Sequence, residues 1–369
     1  AGAHFPRVPP TEDPAGLFPH QQSPSHFSFL NNEHHTSRMS VTIRDVAEEA
    51  SVSATTVSRV FNHDHLVNSE TREHVLEVAQ RMGYAPDATA RSLSSGRTHS
   101  IGVILPAPHG EFFSELIRGL DDAAQAADHF LLIASSHYNP DEGKSALESL
   151  AGRVDGLVMM TPRTHPDPLT EGMDLPVVFV NSELRGDAFD LYRMENREGA
   201  AHAVHHLIEA GHSRIATITG PPGSYDVERR MEGYRNAMDE HGLAEGPIIE
   251  GDFTQKSGYE AGKELLDFEE PPDAVFACND YMAIGAMLAF QESGLHVPGD
   301  IAVAGFDDIT SARYANPPLT TVRIPVYELG RRAGERLLQR IQSSCPPDPE
   351  TFHVSHELKV RDSTNPRDP

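Results

Sequence analysis

From residue 100 onward, short uninterrupted apolar segments alternate with amphipathic ones, and this alternation restricts the fold more than any other feature of the chain. SIGVILP, HFLLIAS, DGLVMM and PVVFV lack polar–apolar alternation, so they read as parallel strands buried on both faces. Amphipathic helices such as EFFSELIRGLDDAAQAAD fill the intervals. RIATITG, GPIIEGDF, AVFACND and IAVAGFDD repeat the pattern. Two consecutive series of this kind make an α/β body of two doubly wound lobes. Ligands of such sheets bind at the carboxyl ends of the strands, which makes the crevice between lobes the expected site.

A different pattern precedes this body. Ile43, Val46, Ala47 and Ala50 fall on one face of a short helix that Thr42 can cap, and Asp45 complements its amino-terminal dipole. Ser53 can cap a second helix with Val57, Val60 and Phe61 pointing inward, and Ser69 opens a third that Gly83 ends. Two short helices joined by a tight turn form a helix-turn-helix, whose second helix enters the major groove of DNA. Ala54, Thr55, Ser58 and Arg59 then face outward. Arg59 can clamp guanine O6 and N7, Thr55 can bond a base edge or phosphate, and Ala54 can touch a thymine methyl.

Residues 40–84 are expected to form this headpiece, residues 85–99 a hinge linker, and residues 1–39 a disordered tail rich in Pro, His, Ser and Asn. Met39 suggests a native start, and the tail lacks the features of a secretory leader. The linker's apolar face is too short for a stable isolated helix. Leu93, its large apolar side chain, either wedges between minor-groove base steps or docks the linker onto the body.

Charge sets a condition on DNA binding. The formal net charge is -25, of which residues 40–99, with six arginines against eight acids, hold only -2. Bulk charge opposes a polyanion, so contacts must come from locally placed arginines. The two cysteines fit no disulfide framework or zinc spacing. No apolar run approaches the roughly 18 residues of a membrane span. A cytoplasmic, nucleoid-associated protein without a membrane partner is expected.

TIRDVAEEASVSATTVSRVFN, then ARSL, then SIGVILP resemble the lactose-repressor family, and the likeness runs from about Thr42 to Ser363. GHSRIATITGP, RRMEGYRNAM, FACNDYMAIGAM and VAGFDD with PPLTTV keep that family's order. The resemblance implies a helix-turn-helix headpiece on a two-lobed sensor like a periplasmic binding protein. It also implies a homodimer on a pseudo-palindromic operator, a repressor controlled by a small polar effector. A sugar is the first expectation for that effector and a nucleobase or nucleoside the second. Lobe 1 is expected at about 100–196 and 325–351, and lobe 2 at about 197–324 and 352–369. The expected DNA contacts are Thr42, Ser53, Ala54, Thr55, Thr56, Ser58, Arg59, Asn62, Ala90 and Leu93.

Position by position, the resemblance implies effector contacts at Phe112, Asn181, Arg230, Phe253, Asn279 and Asp307. Aromatic faces would cover a sugar or base while Arg, Asn and Asp orient its polar rim. All but Arg230 lie just past a strand's carboxyl end. Asp280 reads as a helix N-cap, Asp308 as a turn residue, and Phe113 as core with Phe112 exposed. Removing Arg230 or Asp307 is expected to spare folding.

Catalytic readings fail. GPPG at Gly220 lacks the Lys-Ser/Thr of a phosphate loop, and His205, His206 and His212 lack a ligand set. No cofactor, metal or enzyme activity is expected. The alternative reading is a solute-binding sensor or transport component without a DNA role.

Overall fold

The computed structural model describes residues 41–62, 67–84, 97–108, 110–160, 175–182 and 189–364. Ala90, Leu93, the expected tail and most of the expected hinge lie outside the described residues. The chain divides into two compact units, Ala1–Pro86 and Asp87–Pro369.

The first unit holds three helices, α1 (Ile43–Glu49), α2 (Ala54–Asn62) and α3 (Ser69–Met82). A capping box starts α1: the Asp45 amide donates to the Thr42 hydroxyl, and the Thr42 amide donates to the Asp45 carboxylate at 2.7 Å. Ser53 caps α2, accepting from the Thr56 amide at 3.0 Å. Ser69 opens α3 as expected, and Asn68 before it is the cap, accepting from the Thr71 amide at 2.8 Å. Gly83 ends α3 at φ 67°, a conformation that costs a residue without a Cβ little. Val46, Val57, Val60, Val75 and Val78 meet in a small core, with Phe61 set edge-on to Tyr84.

The second unit contains two six-stranded sheets. One has the order β11-β5-β4-β3-β1-β2, all parallel. Its strands are β1 (Ser100–Leu105), β2 (Phe130–Ser135), β3 (Gly156–Met159), β4 (Val177–Val180), β5 (Asp190–Met194) and β11 (Thr351–Val354). Helices α4 (Glu111–Ala126), α5 (Pro140–Leu150) and α11 (Val326–Gln342) complete this lobe, and α11 packs along α4 and against β3 and β4.

The other sheet has the order β12-β10-β9-β8-β6-β7. It comprises β6 (Ile215–Thr219), β7 (Ile248–Glu250), β8 (Ala274–Ala277), β9 (Ala302–Asp307), β10 (Thr320–Arg323) and an antiparallel β12 (Glu357–Lys359). Its helices are α6 (Asn196–Glu209), α7 (Tyr225–Glu240), α8 (Gln255–Leu266), α9 (Asp280–Glu292) and the short α10 (Thr310–Tyr314).

Three expectations change. β11 pairs with β5, so Thr351–Val354 belong to the first lobe and the chain returns to the second only after Val354, not at 352. HFLLIAS is an edge strand with Phe130 73%, Leu132 36% and Ile133 43% exposed, not one buried on both faces. GPIIEGDF supplies only the three-residue edge strand β7, with one buried residue. The polar DLYRM and TTVR segments are strands that apolar patterning does not reveal. No helix among the described residues is long and apolar enough to cross a membrane.

Candidate functional site: an interlobe cleft and an exposed helical face

The carboxyl ends of both sheets open onto one cleft of about 550 Å³. Phe112, Arg230, Phe253, Asn279 and Asp307 all line it. Phe112 and Phe113 follow β1, edge-on at 5.2 Å; both are half-buried, pack against the core and line the cavity, so the expected division into one core ring and one exposed ring does not hold. Phe253 follows β7 at φ 68°, which a bulky residue holds only under constraint. Three contacts supply that constraint. Its carbonyl accepts from the Asn279 amide at 3.0 Å, and the adjoining Thr254 amide donates to Asp252 at 2.9 Å. Its ring lies over Gly220, where an added Cβ would sit 2.4 Å from the ring.

Asn279, not Asp280, is the N-cap of α9, accepting from the Met282 amide at 3.0 Å. Asp280 is fully buried and used elsewhere: it accepts from the Thr321 hydroxyl and from the Ile309 amide at 2.9 Å, tying α9 to the loop after β9. Burial pushes its pKa well above the ordinary value. Asp308 is more than a turn residue, since it pairs with Arg361.

Arg230 is only 3% exposed. It comes from the middle of α7, and every guanidinium nitrogen has a protein acceptor. Nε donates to Asn196 at 2.9 Å, Nη1 to the Cys278 carbonyl, and Nη2 to Asp307 at 3.1 Å. The guanidinium also lies 3.8 Å from the Phe306 ring centroid. Burial pushes the Asp307 carboxyl up to about 7, against the opposing pull of Arg230. Arg230 is therefore a structural strut as well as a cleft residue, and the expectation that its removal spares folding does not fit this geometry.

Asn181 does not line the cleft. It is 1% exposed, adopts φ 47° at the end of β4, and donates its amide to Asp226 on the other lobe. Asp226 also accepts from Asn196 at 2.9 Å, lies 3.9 Å from Arg230 and lines the cavity. Burial raises its pKa. Sequence reading missed Asp226, although its position four residues before Arg230 on one helix was a usable signal. It also missed Tyr138 and Tyr281, which line the cavity.

A second link joins the lobes at the cleft mouth. The Glu111 carboxylate accepts from the Thr310 amide at 2.6 Å and from the Ser311 hydroxyl, while the Glu111 amide donates to the Tyr281 hydroxyl at 3.0 Å.

In the helical unit, Thr55 and Arg59 are exposed on α2 and Arg59 has no ion pair among the described residues. Ala54 and Ser58 are half-buried, Ala54 packing on the core. The Ser53 hydroxyl serves the cap and lies 2.9 Å from that of Thr56. Asn62 ends the helix, and Thr42 is exposed.

Comparison with known proteins gives consistent matches. The profile of bacterial regulatory proteins of the lacI family matches residues 42–87, and that of periplasmic binding protein-like domains matches residues 204–364. Catabolite control protein A of Priestia megaterium is 36% identical over 332 residues, covering 88% of this chain and all of that one. The HTH-type transcriptional repressor PurR of Edwardsiella ictaluri is 38% identical over 330 residues, covering 87% and 96%. The lac repressor dimer bound to operator and the anti-inducer ONPF superposes with a TM-score of 0.77 at 30% identity, covering 88% and 99%.

Proposed function

The chain belongs to the lacI family of bacterial regulatory proteins, a DNA-binding transcriptional repressor rather than an enzyme, and on that premise we propose that a small polar effector in the interlobe cleft controls its affinity for a pseudo-palindromic operator. The observation that carries this reading is the convergence of Phe112, Arg230, Phe253, Asn279 and Asp307 on one cavity of about 550 Å³ between two lobes. A ligand held by both lobes favours their closed arrangement by its differential affinity, and that difference is what reaches the DNA.

A hydroxyl-rich molecule of sugar size fits first, since ring faces cover its apolar side and carboxylates accept from its hydroxyls. The flat faces of Phe253 and Phe112 favour a nucleobase as the second reading. Asn181 acts through Asp226 in this account, holding the lobes rather than the ligand.

Residues 40–84 read the operator, with Thr55 and Arg59 on bases and Thr42, Ser53, Ala54, Thr56, Ser58 and Asn62 around them. Residues 85–99, with Ala90 and Leu93, form the hinge, and residues 100–369 the sensor. The dimer forms through the sensor. The β2 edge presents Phe130 and Leu132 on one face, an apolar strand edge that a soluble protein keeps covered. A second copy of the chain is the occupant we assign to it; the lac repressor that this chain resembles is a dimer. The setting is the cytoplasm. A thermal-shift screen of sugars and nucleobases, followed by operator titration with each hit, tests the reading. A hit that leaves operator affinity unchanged contradicts it.

A further inference from the structure

Arg230 brings one positive charge to the cleft, and carboxyls outnumber it there. Its three nitrogens are committed to Asn196, Cys278 and Asp307. Two carboxylates face the same Nη2, Asp307 at 3.1 Å and Asp226 at 3.9 Å, and Asp252 stands on the wall as a third. His137, the other basic group on the wall, is already paired with Glu142 at 2.5 Å. Among the described residues, Asp307 accepts a single side-chain hydrogen bond, on Oδ1, and the two side-chain donors to Asp226 also sit on its Oδ1. The polar wall therefore carries three carboxyls, Asp226, Asp252 and Asp307, against the one guanidinium. Around it stand five rings, Phe112, Phe113, Tyr138, Phe253 and Tyr281. Carboxylates with ring faces attract an ammonium group and repel an anion.

We propose that the effector is a hydroxyl-rich amine, an amino sugar by chemical class, whose ammonium lies between Asp226 and Asp307 while its ring packs on Phe253. This rests on the cleft being the effector site. The groups facing Asp307 are Arg230 and Asp226 from α7, Asp280 from α9, the thiol of Cys278 and the hydroxyl of Tyr138. Only Arg230 among them is cationic, so an arriving ammonium favours the ionised carboxylate. Asp307, pushed up to about 7, then gives up its proton to solvent on binding.

Calorimetric titration of the full chain near neutral pH provides the test. The ligands are glucosamine, galactosamine and mannosamine, each beside its neutral parent hexose, with guanine and adenine as further neutral probes, in two buffers of different ionisation enthalpy. At least one amine should bind about tenfold or more tightly than its parent, equivalent to about 1.4 kcal/mol. Binding should release a fraction of a proton, on the order of one half, which needs no variant to detect. Asp226→Asn should erase the preference. A neutral hexose or base that binds as tightly as every amine overturns the amine assignment and leaves the cleft reading standing. Absence of binding by all three amines at millimolar concentration also overturns it. Amine binding that survives Phe253→Ala unchanged places the ligand elsewhere and contradicts the cleft reading itself.

Discussion

Asn181 and Asp226 clasp the two lobes: the amide at the end of β4 in one donates to the carboxylate in the first turn of α7 in the other. Asp226 thus belongs to the interlobe contact and to the cavity wall at once. A ligand that draws on Asp226 also acts on the lobe arrangement, which links occupancy of the cleft to closure.

Arg230→Ala should destabilise the sensor, not only deafen it. The substitution leaves Asp226 and the largely buried Asp307 side by side without their counter-charge, a loss approaching the roughly 3–5 kcal/mol of a broken buried pair. Urea unfolding of the full chain measures it. A variant as stable as the parent would show that the strut is dispensable.

The pH dependence has a definite sign. Asp307 holds its proton up to about 7 when folded, against an ordinary value of 3.8. The folded chain therefore binds more protons than the unfolded one between those values, and the contribution of Asp307, complete at lower pH, is lost as pH rises through 7. Relative to Asp307→Asn, the parent chain should lose stability from about pH 4 to about pH 7 and then level off. A difference independent of pH would contradict the raised value.

Arg59→Ala should weaken operator binding by about 1–3 kcal/mol and relax base preference at one position in each half-site. Fluorescence anisotropy on operator and scrambled duplexes separates this from a backbone contact. Equal weakening on both would assign Arg59 to phosphate.

Phe130→Asp with Leu132→Asp should convert a dimer to a monomer in light scattering while changing monomer stability by only about 0.5 kcal/mol, since both side chains are exposed. Operator affinity should fall as the dimer is lost. Retention of the dimer would remove β2 from the interface.

Much of the fold was legible because central parallel strands are apolar throughout and the helix caps are local. Thr42, Ser53 and Gly83 announce their helices within four residues. β2 misled because an apolar run has the same composition at a sheet's edge as at its centre. β5 and β10 escaped notice because DLYRM and TTVR carry polar residues into the sheets. Five of the six effector residues implied by the family resemblance reach the cavity, four of them at or just past strand ends and Arg230 on α7. Asn181 does not, and no local signal could say so, because its partner lies 45 residues away on the other lobe. The choice between Asn279 and Asp280 as cap was equally non-local, settled by Thr321 and Ile309 claiming Asp280.

The coupling of cleft to operator is tested most directly by titrating the full chain onto a labelled operator duplex, selected from a random library, with and without a saturating ligand that protects the sensor from thermal unfolding. Operator affinity should shift by about 5–150-fold, the range of a coupling of about 1–3 kcal/mol, and Asp307→Asn should abolish the shift. A ligand that occupies the cleft of the parent chain and leaves operator affinity unchanged would contradict the account.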